Sequence, residues 1–251
     1  MPLYKTQAVV LRGIKLSEKD KLVTFLTRRY GKIKCVAKGA RLLKSRYGAS
    51  LEPLSHISMV YFGKQNQELF SLNQCDIIHS FQSIREDHQK FYSAIYFLEL
   101  ADTLMAEAQP EPEIFDLLLA ILEKTRSQTN METLCRLFEI RIMVLAGYAP
   151  RLNRCIVCQG IPKSYWVGFS YSRHGIICEP CQGPDFAEIK IKNGSLNYLK
   201  KLLTLDINHT ERLKIPKDSE LEIESVTHRL ILSRVGRELK SYPFIKQMAA
   251  I

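Results

Sequence analysis

Arg28-Arg29-Tyr30-Gly31-Lys32-Ile33-Lys34-Cys35-Val36-Ala37-Lys38 reads as a tight turn followed by a strand whose two faces differ in kind. Alternation turns Ile33, Cys35 and Ala37 toward a core and Lys32, Lys34 and Lys38 away from it. Tyr30-Gly31 makes the connection to a preceding strand, and Arg41, Lys44 and Arg46 follow in the next loop. From Arg28 to Arg46 there are eight positive charges and no acid.

The same alternation predicts strands at Tyr4–Arg12, Lys21–Thr27, Lys32–Lys38, His56–Phe62 and Glu68–Ile78, with Gly63–Gln67 joining the last two. Five short strands within residues 1–80 predict a small closed barrel. The five-stranded OB-fold leads, and an SH3-like barrel shares the strand count.

From Ser83 the period changes to 3.6, with Ile84, His88, Phe91, Ile95, Leu98 and Met105 at helical spacing. Pro110 and Pro112 interrupt the chain, and Ile114, Leu117, Leu118, Ile121 and Leu122 begin a second helix. A third is expected from Met131 to Tyr148, a fourth near Ser195–Leu205, and a longer one from Asp218, read as its N-cap, to Lys240. These stripes are core positions and need no cofactor. Arg141 shares a face with Phe138 and Leu145, which leaves open a buried ion pair or the polar rim of a groove.

Cys155-x2-Cys158 and Cys178-x2-Cys181 form the sharpest local motif. Two thiolates three residues apart on a tight knuckle occupy adjacent corners of a tetrahedron, and a second knuckle completes it. The spacing is that of one structural zinc ion, closed to water and so unsuited to catalysis. Gly160 and Gly183 follow the knuckles, and Ser164–Ile177 reads as a β-hairpin between them. His174 is expected on a surface loop, and Cys35, Cys75 and Cys135 as ordinary buried thiols.

The expected class is therefore α+β: an N-terminal OB-fold barrel followed by an α-helical domain with an inserted four-cysteine zinc finger. The division is a barrel at 1–80, helical parts at 81–152 and 185–251, and the cysteine insert at 153–184.

Composition narrows the function. Of 36 Lys/Arg and 26 Asp/Glu, residues 1–50 hold thirteen cations against only Glu18 and Asp20, while the remaining 201 residues are nearly neutral. A positive field so concentrated calls for a polyanion. No apolar run reaches the roughly 18 residues of a membrane span, and the first residues lack a signal-peptide pattern. The odd cysteine count with metal spacing favours a reducing cytoplasm. Phosphate-loop, dinucleotide and nucleophile-elbow glycine motifs are absent, so no enzyme is expected.

Leu11-Arg12, Glu18-x-Asp20-Lys21-Leu22, Thr27, Gly31-Lys32-Ile33 and Lys38-Gly39-Ala40-Arg41 resemble, in order and spacing, the start of the bacterial recombination and repair family RecO. Phe138-Glu139-x-Arg141, Gly147-Tyr148-x-Pro150 and the first cysteine pair resemble its middle. Arg229-Leu230 through Gly236 to Lys240-Ser241 and Phe244 is similar to its last helix. The resemblance spans essentially the whole chain. It implies binding of single- and double-stranded DNA, annealing of complementary strands, and loading of RecA with RecR on DNA coated by single-stranded-DNA-binding protein. It also implies recognition of that protein's acidic tail by the helical domain, and a bacterial cytoplasmic setting at the nucleoid; Arg141 is assigned to the rim of that groove only from its place on an otherwise apolar face. The cysteines read as scaffold, since some members of that family lack them.

The residues expected on nucleic acid are Arg28, Arg29, Lys32, Lys34, Lys38, Arg41, Lys44 and Arg46, with Tyr30 and Tyr47 stacking on bases. An RNA-binding or ribosome-associated protein, or an adaptor for acidic protein tails, would carry the same charge pattern.

Overall fold

The computed structural model describes residues 2–64, 67–128, 130–183 and 189–249. Five strands, β1 (Leu3–Lys15), β2 (Lys21–Thr27), β3 (Gly31–Ala37), β4 (His56–Phe62) and β5 (Leu69–His79), close into a barrel in the order β1-β2-β3-β5-β4. Neighbours are antiparallel except β3 and β5, which run parallel through Lys34–Leu69, Cys35–Phe70 and Val36–Ser71. The expected strands are all present. β1 runs on to Lys15 because Ile14 and Lys15 still pair with Leu22 and Lys21. Of the expected Gly63–Gln67 connection, Gln65 and Asn66 lie outside the described residues.

The barrel is filled by the inward half of each alternating strand, including Val10, Val23, Phe25, Ile33, Cys35, Ile57, Met59, Tyr61 and Leu72. Burial raises the Cys75 thiol to about 11 and pushes the Cys35 thiol higher still, so both stay neutral packing groups.

The chain gathers into two compact units, Met1–Ser127 with Leu239–Ile251, and Gln128–Glu238. In the first, the barrel is followed by α1 (Gln82–Arg85), α2 (His88–Leu104) and α3 (Pro112–Ser127). Asp87 caps α2 by accepting from the Lys90 amide at 3.1 Å. Pro112 opens α3, where its missing N–H costs nothing. The buried face of α2 is Ala94, Phe97, Leu98 and Ala101, flanked by Tyr96 and Leu100, and His88 is exposed. The expected stripe is thus rotated. This helix packs against α1, α3 and β1 at once, so a one-faced period does not describe it.

The second unit holds α4 (Met131–Leu145), a sheet of β6 (Trp166–Ser170), β7 (Gly175–Ile177) and β8 (Ile189–Lys192), then α5 (Asn193–Thr204) and α6 (Lys217–Val235). β6 and β7 are the expected hairpin, and β8 adds a third strand on the other edge of β6. Helix α6 begins after Pro216 rather than at Asp218, whose carboxylate is taken by the Lys192 ammonium. It stops at Val235 because Gly236 adopts φ +72°, a left-handed terminus that favours glycine.

Inside this unit Arg136 and the fully buried Glu139 form an ion pair at 3.0 Å, and Thr227 joins α6 to it by donating to Glu139 Oε2 at 2.6 Å. Deleting one partner of such a pair strands the other and costs about 3–5 kcal/mol. In the first unit, α7 (Tyr242–Ala249) returns to α2. Glu99 caps it by accepting from the Lys240 and Ser241 amides at 2.9 and 2.8 Å.

Glu220 of α6 lies beside Glu132 of α4, and burial followed by this neighbour raises its carboxyl to about 7. The fold therefore binds a proton that the unfolded chain releases near its ordinary 4.5. Stability falls as pH rises through that interval and is flat above it. A Glu220→Gln variant is expected to raise Tm above pH 7 and to leave it unchanged near pH 4.5. Thermal melts across that range check the sign, and an equal effect at both ends would refute it.

Candidate nucleic-acid interface and metal centre

The turn between β2 and β3 is built by Thr27, whose hydroxyl donates to the Gly31 carbonyl at 2.8 Å and accepts from the Tyr30 amide at 3.0 Å. Gly31 has φ +68°, and a Cβ there would lie 2.1 Å from the Gln109 carbonyl oxygen. The missing side chain lets the α2–α3 connection lie directly on the start of β3, where the Ala108 amide donates to the Lys32 carbonyl at 2.9 Å.

That connection brings acids to the strand. Lys32, with its side chain 11% exposed, pairs with Asp102 at 3.3 Å and donates to the Asp102 carbonyl. Lys34 pairs with Glu107, and Arg28 pairs with Asp116 at 3.0 Å. Arg12 also reaches Asp102, at 2.7 Å. Three of the eight cations in the Arg28–Arg46 run therefore have a carboxylate partner supplied from α2, α3 or the segment between them. The sequence reading missed these acids because they lie some 70 to 90 positions downstream. Their only signal was the acidic spacing Asp102, Glu107, Glu111, Glu113, Asp116.

Arg29, Lys38, Arg41, Lys44 and Arg46 are exposed and have no acidic partner among the described residues. Arg29 shares the β2–β3 turn with Arg28. Lys38, Arg41 and Lys44 lie at the opposite end of the barrel, together with Lys15 and Lys19 of the β1–β2 tip, because Lys21 is in register with both Ala37 and Lys15. Arg46 lies over the Tyr47 ring at 4.9 Å and lines an open cleft of about 310 Å³ with Asn73, Gln74 and Asp76.

Of the two aromatics, Tyr47 differs from expectation. Tyr47 is 4% exposed, and its hydroxyl donates to the Leu72 carbonyl at 2.9 Å, so its ring is core and offers no platform for a base. Tyr30 is half-buried, edge-on to Tyr4 and Tyr61 at 5.3 and 5.9 Å.

In the second unit the four sulfurs of Cys155, Cys158, Cys178 and Cys181 lie within 4.8 Å of one another. The Cys158 and Cys178 sulfurs are 3.5 Å apart. A tetrahedral ion with metal–sulfur bonds of about 2.3 Å requires roughly 3.8 Å between sulfurs, so the donors are already at ligand spacing. Each knuckle closes on its own backbone, with the Cys155 amide donating to the Gly160 carbonyl and the Cys181 amide to the Cys178 carbonyl, both at 2.9 Å. Burial works against ionisation of Cys155, yet amides including those of Val157 and Cys178, each 3.4 Å from its sulfur, bring its pKa down to about 6. A sulfur that accepts amide hydrogens is prepared to be a thiolate ligand. His174 stands outside the cluster and offers its carbonyl to the Arg151 amide.

Arg141 is half-buried, and its Nε donates to the Leu202 carbonyl at 3.2 Å in the last turn of α5. Burial lowers its pKa, against the pull of Asp206. Among the described residues no helix is long and apolar enough to cross a membrane.

Two family models match the chain in succession, Recombination protein O N terminal over residues 1–81 and Recombination protein O C terminal over residues 85–243. The chain belongs to the RecO family. Curated relatives named DNA repair protein RecO are similar over nearly their whole length. That of Symbiobacterium thermophilum is 31% identical across 98% of this chain and 97% of its own. That of Thermodesulfovibrio yellowstonii is 33% identical across 93% and 94%, and that of Myxococcus xanthus is 30% identical across 99% of both. The RecO barrel and the four-cysteine cluster expected from sequence are both present.

Metal removal gives a direct check on the centre. A strong chelator, or Cys155→Ser, is expected to release one equivalent of metal, measured by elemental analysis, and to lower Tm. A Cys135→Ser variant should keep its metal, and full metal content in Cys155→Ser would exclude the four-sulfur site.

Proposed function

We propose that this chain is a non-catalytic recombination mediator of DNA repair, which holds the backbones of single- and double-stranded DNA on its barrel and promotes their annealing. What carries this reading is the set of uncompensated cations on the barrel, with Lys38, Arg41 and Lys44 grouped at its tip, in a chain of the RecO family. Annealing brings two polyanions together, and an unpaired cationic surface lowers their repulsion without reading sequence. Lysines already bound to carboxylates contribute less, because a phosphate must first displace the acid. Lys38, Arg41, Lys44, Arg46 and Arg29 therefore act as the principal DNA contacts, and Arg28, Lys32 and Lys34 as secondary ones.

In this reading the functional divisions are residues 1–80 for DNA, 153–184 for a single structural zinc ion, and 81–152 with 185–251 for docking. The end of the cysteine insert, at residue 184, is outside the described residues. Four sulfurs in a closed tetrahedron suit zinc, which supplies scaffold rather than chemistry. The partners are RecR, the acidic tail of single-stranded-DNA-binding protein and, through them, RecA, in the bacterial cytoplasm at the nucleoid.

Reversing Lys19, Lys38 and Lys44 to Glu is expected to weaken oligonucleotide binding more than tenfold at about 0.1 M salt and to flatten the log–log salt dependence by about 2. Lys34→Glu should do much less to that slope. Fluorescence anisotropy reads both, with matched DNA and RNA strands in competition to separate the two nucleic acids. Equal affinity for the triple variant and the native chain would defeat the assignment.

The acidic tail docks on the helical region with Arg141 at the rim. Arg141→Ala should then weaken binding of a tail peptide at least fivefold, and full affinity by titration calorimetry would remove Arg141 from that surface.

A further inference from the structure

The end of the barrel that bears the unpaired cations also bears exposed aliphatic side chains. Leu43 is 108% exposed, and Leu42 on its loop, Leu16 on the facing loop and Ile14 near the end of β1 are each about half exposed. These loops are braced against each other. The Gly39 amide donates to Asp20 Oδ1 at 2.8 Å, and the Arg41 amide donates to the Lys19 carbonyl at 3.0 Å. The Arg41 guanidinium reaches across to the Ser17 and Glu18 carbonyls at 2.8 and 3.0 Å. Leu42 and Leu43 begin a turn closed by the Ser45 amide on the Leu42 carbonyl at 3.0 Å. Leu43 is therefore held out into solvent by a framed structure.

The surroundings are charged. Lys15, Lys19, Lys38, Arg41 and Lys44 are exposed here and have no acidic partner among the described residues. The acids of the two loops are Glu18 and Asp20, and Asp20 is engaged by the Gly39 amide. A protruding aliphatic group ringed by cations matches a gap between bases flanked by phosphates, where apolar side chains enter as wedges. An acidic peptide with apolar residues would need a concave receptor, and this feature is convex.

We infer that the tip is a strand-parting wedge: Leu43, backed by Leu42, enters a base step while Lys19, Lys38 and Lys44 hold the adjoining phosphates. Its substrate is a duplex end or fork, where a step opens at low cost, in preference to an unbroken duplex. This rests on the nucleic-acid reading above and adds to it a shape preference that a uniform charged platform cannot produce. Arg41 is a positioning residue for the tip as well as a cation.

The test uses the full chain and a forked DNA duplex carrying 2-aminopurine at the junction, beside a blunt duplex of the same sequence. The native chain should raise the probe's emission on the fork and bind it more tightly than the blunt duplex. Leu42→Ser/Leu43→Ser, changes to solvent-facing side chains, should abolish the emission rise and reduce the fork preference about fivefold, with the salt slope unchanged. Retention of both signals overturns the wedge, and so does a loss of affinity shared equally by fork and blunt duplex. Loss of binding to vesicles of anionic phospholipid, with the fork signal intact, overturns it in favour of a membrane contact. Lys38→Glu/Lys44→Glu separates failure of the wedge from failure of nucleic-acid binding, because unchanged fork affinity in that variant defeats the nucleic-acid reading itself.

Discussion

Glycine at position 31 permits a contact that no other residue would allow, the Gln109 carbonyl lying where its Cβ would stand. Through this approach the segment after α2 lies on β3, and Asp102 and Glu107 come within reach of Lys32 and Lys34. The contact therefore sorts the basic run into two populations. Cations near the docked segment and α3, apart from the exposed Arg29, tie helices to barrel, and those at the far loops have no carboxylate partner among the described residues. A surface ion pair is individually weak, but Lys32 and Asp102 are largely shielded from water, where the attraction is screened less.

The barrel was legible because strand patterning is local: β3 and β4 alternate buried and half-buried residues along their seven positions, and β2, although buried continuously from Val23 to Thr27, also emerged close to where the pattern put it. The cysteine quartet was legible for the same reason, since each knuckle is specified by four consecutive residues. What escaped was non-local. The pairings of Arg28 with Asp116 and of Arg12 with Asp102 join positions 88 and 90 apart, and nothing in a run of lysines announces an acid so distant. Helix α2 escaped in its orientation because it is buried on several sides. β8 is only four residues long, and α7 depends on Glu99 from far upstream to satisfy its first amides.

The two units solve the problem of burying polar groups differently. In the second, a buried ion pair and a hydroxyl link α4 to α6 through Arg136, Glu139 and Thr227, and the four sulfurs gather the two knuckles at one point. In the first, Glu99 and Asp87 spend their carboxylates on helix amides. Both arrangements fix register as well as contributing to stability, since each polar atom accepts only a partner in the right place.

The parallel pairing of β3 with β5 carries a consequence for biosynthesis. β3 leaves the ribosome more than thirty residues ahead of the strand that will cover its edge, so for that interval it is an open ladder able to recruit a neighbouring nascent chain. Lys32 and Lys34 stand on that strand, and their later partners Asp102 and Glu107 have not yet been made. Until those acids are made the two lysines lack these partners, and like charges on an open edge disfavour its pairing with a second copy.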